Sequence, residues 1–238
     1  MNTIKIEHKD VLMIAHRGLS GYEVENTCPA FVAAGVKSYY GIETDVHVTK
    51  DGKYIICHDD NIKRVTGVDL IIEESLYDDI KKIPILDKDL STRSDLVFPD
   101  LFDYIKICKK YNKEAILELK NKIDIEHIKG IIDVIKEIGW YDNTTFISFV
   151  PDNIIALRSL DNNVKIQFLT DKASKEVLEF IRKYKVDLDI YYKSLNKRFI
   201  MRLHKLGIKV NCWTIDSPKE ALSLIKMGVD MITSNILE

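Results

Sequence analysis

The sequence predicts a (β/α)8 barrel, an α/β fold in which eight parallel strands close on themselves with helices outside. Three observations predict it. Short apolar runs rich in β-branched residues alternate with amphipathic helical stretches along the chain. The number of these units suits a closed barrel better than an open sheet. The polar residues able to do chemistry stand at the C-terminal ends of the runs, the face on which barrels carry their sites. A chain of 238 residues with 46% apolar content can build one such core. The expectation is therefore a single domain spanning 1–238, with an insertion at about 60–100.

The elements follow in order. Residues 11–15 read as a strand buried on both faces, which cannot hide an imidazole and a guanidinium along its length. His16 and Arg17 therefore belong to the loop beyond it. Glu25 and Asn26 are placed to orient them, and Asn26 or Thr27 caps the next helix. The run 39–47 carries Glu43 and Asp45, two residues apart and so on one face. Asp51-Gly52 signals a two-residue hairpin, which pairs Lys50 with Lys53 and sets His58 opposite Asp45. A three-residue turn with a bulge would slip that register by one.

With 53–58 counted, nine strand-like runs compete for eight places. Either 53–58 is the returning arm of the hairpin or the last run is the closing strand, and both assignments stay open. Residues 60–100 have weak periodicity and mixed charge. They read as an excursion over the barrel mouth, with a long disordered loop as the alternative. A helix over 101–111 leads to the strand 115–119, where Glu118 and Lys120 are in phase. Ile125, Ile128, Ile131, Ile132, Ile135 and Ile138 form a helical stripe stopped by Gly139. Strands follow at 144–149, 164–169, 186–191, 208–213 and 229–233. The helices between them are built on Ile154 and Leu157, Leu178 and Ile181, Ile200 and Leu203, and Leu222 and Ile225.

Two same-face carboxylates beside an imidazole repel and desolvate one another unless a cation or substrate compensates. Glu118 adds a third. An all-oxygen set with no thiol or imidazole cluster suits one divalent cation, Ca²⁺ or Mg²⁺, rather than zinc. The competing readings are a solvated strand face for Glu43 and Asp45, and a plain ion pair for Glu118 and Lys120.

A net charge of −2 without a basic block gives no reason to expect nucleic acid as a partner. Cys28, Cys57, Cys108 and Cys212 are scattered without framework spacing. Three of them sit in apolar patterns that suit reduced thiols, which points to a cytoplasmic protein. No apolar leader or run of ~18 apolar residues is present, so no stable membrane insertion is expected. His8, His47, His127 and His204 carry no motif and are expected to be surface or structural.

Taken in order, His16-Arg17-Gly18, Glu25-Asn26-Thr27, Glu43-Thr44-Asp45-Val46, Thr49-Lys50-Asp51-Gly52, His58-Asp59 and Glu118-Leu119-Lys120 resemble the glycerophosphodiester phosphodiesterase family. Arg64-Val65-Thr66-Gly67, Ile147-Ser148-Phe149, Trp213-Thr214 and Gly228-Val229-Asp230-Met231-Ile232-Thr233 extend the resemblance from Met13 to Thr233. It implies metal-dependent hydrolysis of a small glycerophosphodiester to glycerol 3-phosphate and an alcohol. It implies His16 and His58 as the acid/base pair, Glu43, Asp45 and Glu118 as metal ligands, and Arg17 and Lys120 on the phosphate. Phe149 and Trp213 would form an apolar wall against the glycerol carbons; the alternative makes them core aromatics capping the barrel.

Val24 stands where the family usually has proline, and the proline after the final Thr is missing at Ser234-Asn235-Ile236. The stretch 60–100 matches least, so head-group preference is expected there. A phospholipase D-like activity on lysolipids and a catalytically silent binding barrel are the competing functions. Arg17 beside His16 slightly favours His16 as the acid. The sequence neither fixes that division nor chooses between water and the substrate's own hydroxyl as nucleophile.

Overall fold

Eight parallel strands close into a barrel in a computed structural model that describes residues 2–238. The first half of the chain gives β1 (Leu12–Ala15), α1 (Cys28–Gly35), β2 (Gly41–Val48), β3 (Tyr54–Ile56), α2 (Lys63–Thr66), α3 (Tyr77–Lys81), α4 (Leu101–Tyr111) and β4 (Glu114–Leu119). The second half alternates strictly: α5 (Ile125–Ile138), β5 (Thr144–Ser148), α6 (Pro151–Leu160), β6 (Lys165–Thr170), α7 (Lys175–Tyr184), β7 (Asp187–Tyr191), α8 (Lys197–His204), β8 (Val210–Trp213), α9 (Pro218–Met227) and β9 (Met231–Ser234). Closure comes from β1, where Ile14 lies between Gly41 of β2 and Thr233 of β9. Both ways of placing the surplus run hold together. β3 returns antiparallel on β2 outside the barrel, and β9 is the closing strand.

The hairpin register is a correction. Val46 pairs with Ile56 and His47 with Ile55, which brings Cys57 rather than His58 opposite Asp45. The turn has three residues, not two. Thr49 is its last paired position: its backbone N–H donates to the Lys53 carbonyl, and its hydroxyl accepts from the Lys53 amide at 3.0 Å. Gly52 closes the turn at φ +74°, a conformation that favours glycine. His58 still reaches the barrel mouth, because β3 runs back antiparallel along β2 and its end lies level with Asp45 at the rim.

Packing follows strand alternation. Ile42, Val46, Ala115, Leu117, Phe146, Ile166, Leu188, Val210 and Ile232 face the helices and build the main core. Ile128, Ile131, Ile132 and Ile135 of α5 fill it from outside. Each fully buried side chain of this kind contributes on the order of 1.5–3 kcal/mol. Ile14, Ile116, Ile147, Leu169 and Met231 face inward and form a smaller apolar plug in the barrel. Beneath it, Glu114 Oε1 accepts from Thr145 Oγ1 at 2.7 Å and Lys165 Nζ at 2.9 Å, which satisfies a buried carboxylate at the closed end.

The excursion after β3 is ordered and has its own apolar core of Ile62, Ile72, Ile80, Ile85, Leu96 and Phe98, joined by Val24 from the β1–α1 loop. It therefore packs against the strand ends that carry the site. Asp100 ends it by capping α4, accepting from the Asp103 amide at 2.9 Å.

Candidate active site

The C-terminal mouth of the barrel holds a cavity of about 210 Å³ with two unlike halves. One half is polar, formed by His16, Arg17, Glu43, His58 and Glu118; the other is formed by Ile147, Phe149, Leu169 and Trp213, with Asp189 and Thr233 as isolated polar points. Phe149 and Trp213 stack edge to face at 5.7 Å, and Trp213 also meets Tyr191 at 5.6 Å. Lys120 lies just outside, in a shallower depression that shares His58, Glu118 and Phe149 with this cavity.

Register explains why the three carboxylates meet. Asp45 of β2 is the direct partner of Glu118 on β4, and Glu43 sits one pleat below on the same face. Carboxylate oxygens of Glu43, Asp45 and Glu118 come within 4.8 Å of one another, all three side chains buried. Burial, then the Asp45 charge, raises Glu43 well above the usual carboxylate range and pushes Glu118 up to about 8. For Asp45, burial acts upward but is outweighed by Lys120, Arg17 and His58, which hold it down to about 2. Its Oδ1 is nevertheless buried without a hydrogen-bond partner. Three buried carboxylates, one of whose oxygens makes no hydrogen bond, fit a hard divalent cation.

Cations frame the trio. Lys120 Nζ lies 3.0 Å from Glu118 Oε1 and 3.4 Å from Asp45 Oδ1, a buried contact rather than the exposed ion pair considered from sequence. The Arg17 amide donates to Glu43 Oε2 at 2.8 Å, and its guanidinium donates to Glu25 Oε1 at 2.9 Å. Arg17 Nε is buried 3.7 Å from Asp45 Oδ2, too far for a hydrogen bond, so this charged donor has an ionic neighbour but no hydrogen-bond partner. Arg64 from the excursion holds Glu25 at 2.6 Å and Asp59 at 2.6 Å, tying the excursion to the site.

The two histidines are held differently. His16 Nδ1 meets Asn235 Oδ1 at 2.8 Å, and Asn235 Nδ2 donates to Asp216 Oδ2 at 2.6 Å. The amide nitrogen being committed to Asp216, its oxygen faces His16, so His16 carries its proton on Nδ1 and keeps a lone pair on Nε2. Burial, then the adjacent Arg17 charge, pushes His16 down to about 4. His58 Nδ1 is instead 2.7 Å from the Asp59 carboxylate.

Two expectations about orienting residues change. Glu25 does hold Arg17, and the Asn26 backbone N–H donates to the Arg17 carbonyl at 3.0 Å, but the Asn26 side chain donates to Asp45 Oδ2 at 2.8 Å rather than to His16 or Arg17. Thr27, not Asn26, caps α1. His16 is oriented instead by Asn235, with Ser20 also donating to Asn235 Oδ1 at 2.6 Å. Sequence reasoning missed Asn235, Asp216, Arg64 and Asp189. Asn235 had a signal: it is polar and follows the closing strand directly, at the functional face. His47, expected to be surface or structural, is buried on β2 behind Asp45.

Gly18 sets the approach of this loop. It has φ +76°, and a Cβ there would lie 2.7 Å from the Ala30 carbonyl carbon. Gly18→Ala is expected to cost at least about 1 kcal/mol, lowering Tm by about 2–4 °C. An unchanged melting scan would show that the α1 start gives way freely.

Among the described residues, no helix is long and apolar enough to cross a membrane. The sequence model of the Glycerophosphoryl diester phosphodiesterase family matches residues 16–238. A glycerophosphodiester phosphodiesterase of Caldanaerobacter subterraneus subsp. tengcongensis is 27% identical over 229 residues, covering 94% of this chain and 93% of that protein. An Oleispira antarctica phosphodiesterase, solved in complex with the product sn-glycerol-3-phosphate, is 25% identical with a TM-score of 0.88, covering 94% of this chain and 92% of that one. A glycerophosphodiester phosphodiesterase from Parabacteroides distasonis is 27% identical with a TM-score of 0.79, covering 95% and 93%.

Proposed function

The chain belongs to the glycerophosphoryl diester phosphodiesterase family and is a phosphoric diester hydrolase, and from that premise we propose that it cleaves small glycerophosphodiesters to sn-glycerol 3-phosphate and a free alcohol by paired histidine catalysis. The observation that carries this reading is the buried carboxylate trio facing two histidines, and an arginine donor without a hydrogen-bond partner, across one cavity.

Glu43, Asp45 and Glu118 would hold one divalent cation, Ca²⁺ or Mg²⁺, which would offset the charge that gathers on the phosphate oxygens. Arg17 Nε, which makes no hydrogen bond, offers its proton to a non-bridging oxygen, and Lys120 adds a point charge beside it. His16 Nε2, with its lone pair toward the cavity, takes a proton from the nucleophile. His58, held through Nδ1 by Asp59, protonates the leaving alkoxide from the other side. The nucleophile's oxygen bonds to phosphorus as the phosphorus–alcohol oxygen bond breaks. One histidine gains the proton and the other loses one. This division reverses the slight preference for His16 as the acid. The apolar wall of Phe149 and Trp213 takes the glycerol carbons and excludes water from that side. The whole chain, with the excursion at about 60–100 as part of one unit, acts in the cytoplasm.

Release of sn-glycerol 3-phosphate from several glycerophosphodiesters, each with EDTA and with added Ca²⁺ or Mg²⁺, tests the proposal. Activity is expected only with cation. Equal turnover in EDTA removes the metal role, and turnover of lysophosphatidylcholine alone moves the protein to the lysolipid activity.

A further inference from the structure

One group in the cavity wall has no part in the chemistry just described. Asp189 lies on β7 between its register partners Leu169 and Asn211, opposite the carboxylate trio, and is 2% exposed. It lines the cavity, and its Oδ1 is buried with no hydrogen-bond partner. No Lys, Arg or His pairs with it within 4.0 Å among the described residues. Its register neighbour Asn211 lies close enough to oppose the effect of burial on the carboxyl, but the Asn211 amide is shared with Gln167 Oε1 at 3.3 Å and Thr233 Oγ1 at 3.2 Å and leaves Asp189 Oδ1 unmet. A buried carboxyl with one oxygen unmet, in a wall whose other members are Ile147, Phe149, Leu169, Trp213 and Thr233, is destabilising unless something from the cavity meets it.

We propose that Asp189 is a specificity-determining residue that hydrogen-bonds the free hydroxyls of the substrate's glycerol, selecting a polyol over an alkyl group on that side of the phosphate. The inference rests on the proposed glycerophosphodiester activity and names how its glycerol is recognised. A glycerol unit is short and two-sided. Its carbons can lie on Phe149 and Trp213 while its hydroxyls reach the carboxyl of Asp189 in the far wall, with the phosphate held by Arg17 and Lys120. Burial pushes Asp189 up to about 8. Near neutral pH its carboxyl can therefore be uncharged, accepting from one hydroxyl, donating to another, and not repelling the phosphate.

The test compares the affinities of sn-glycerol 3-phosphate and propyl phosphate, measured calorimetrically in the presence of the divalent cation. The proteins are the wild type, Asp189→Asn and Asp189→Leu. The wild type is expected to prefer the glycerol compound by about 10- to 100-fold. Asp189→Leu should lose that preference by weakening glycerol 3-phosphate alone, and Asp189→Asn should keep part of it. Equal weakening of both ligands would mean a structural role and overturn the proposal, as would a wild type that does not distinguish them. If Asp189→Leu fails to fold, the wild-type ratio and its partial loss in Asp189→Asn still decide. Choline and inositol release from glycerophosphocholine and glycerophosphoinositol are read in parallel. A loss on only one of the two means that Asp189 meets the head group, which also overturns the proposal. A wild type that binds glycerol 3-phosphate selectively but releases neither alcohol fails as a hydrolase while Asp189 keeps its assignment.

Discussion

Glu43→Gln is expected to lower kcat/KM on glycerophosphocholine by on the order of 10³-fold or more, to keep the barrel folded, and to raise Tm in EDTA. The first effect follows from losing one of three oxygen donors and one unit of negative charge. The second and third follow from what the trio costs the metal-free protein. Glu43 is buried beside Asp45 and within reach of Glu118, so its burial and their repulsion all oppose the ionised form. A glutamine keeps the acceptor that the Arg17 amide uses and removes the repulsion. The same variant should lose the rise in Tm that Ca²⁺ or Mg²⁺ gives the wild type, since a ligand that binds only the folded state stabilises it. Wild-type activity in a Glu43→Gln protein assayed in EDTA would end the assignment of a cation to this trio.

The pH dependence of the metal-free protein has a defined sign. Glu118 has a folded pKa of about 8 against an ordinary 4.5, so the folded state holds a proton that the unfolded chain releases first. Its stabilising contribution is complete below about 4.5 and is lost as pH rises towards 8. In EDTA, Tm should therefore fall over that window, and saturating cation should flatten the fall.

The groups that sequence could place are those whose position depends on local geometry. Glu43 and Asp45 share a face because strands alternate, and a parallel neighbour brought Glu118 level with Asp45. The helix stops at Gly139 and Gly228 were legible for the same local reason. What escaped depends on closure. Asn235 orients His16 across 219 positions, a contact that exists only because β9 closes on β1. Asp189 stood in the run Asp187-Leu188-Asp189-Ile190-Tyr191, where alternating polarity marks an inward face without saying what lies across the barrel. The hairpin failed by one residue because Thr49 and Gly52 together favour the wider turn, and Asp51-Gly52 alone does not distinguish the two.

The division of labour between His16 and His58 makes the last large prediction, and it needs two substrates. Choline leaves as a poor alkoxide unless it is protonated, whereas p-nitrophenolate leaves without help. Removing the general acid therefore harms the natural diester far more than a p-nitrophenyl diester, while removing the base harms both alike as long as attack limits the rate. The Nδ1 proton of His16 is spent on Asn235 Oδ1, so its Nε2 is an acceptor, and burial with Arg17 alongside opposes the charged imidazolium an acid would need. His16→Ala should accordingly cost about 10²- to 10⁴-fold on both glycerophosphocholine and the p-nitrophenyl ester. His58→Ala should cost a similar factor on glycerophosphocholine and no more than about tenfold on the activated ester. Asn235→Ala gives an independent check. Freed from its acceptor, the His16 ring should show a changed Nδ1–H resonance and a reduced kcat on both substrates, with little change in KM. The reverse pattern, with His16→Ala rescued by the activated leaving group, would make His16 the acid. Equal losses for both variants on both substrates would remove the division altogether, because a group that moves no proton in the rate-limiting step cannot sense the leaving group's basicity.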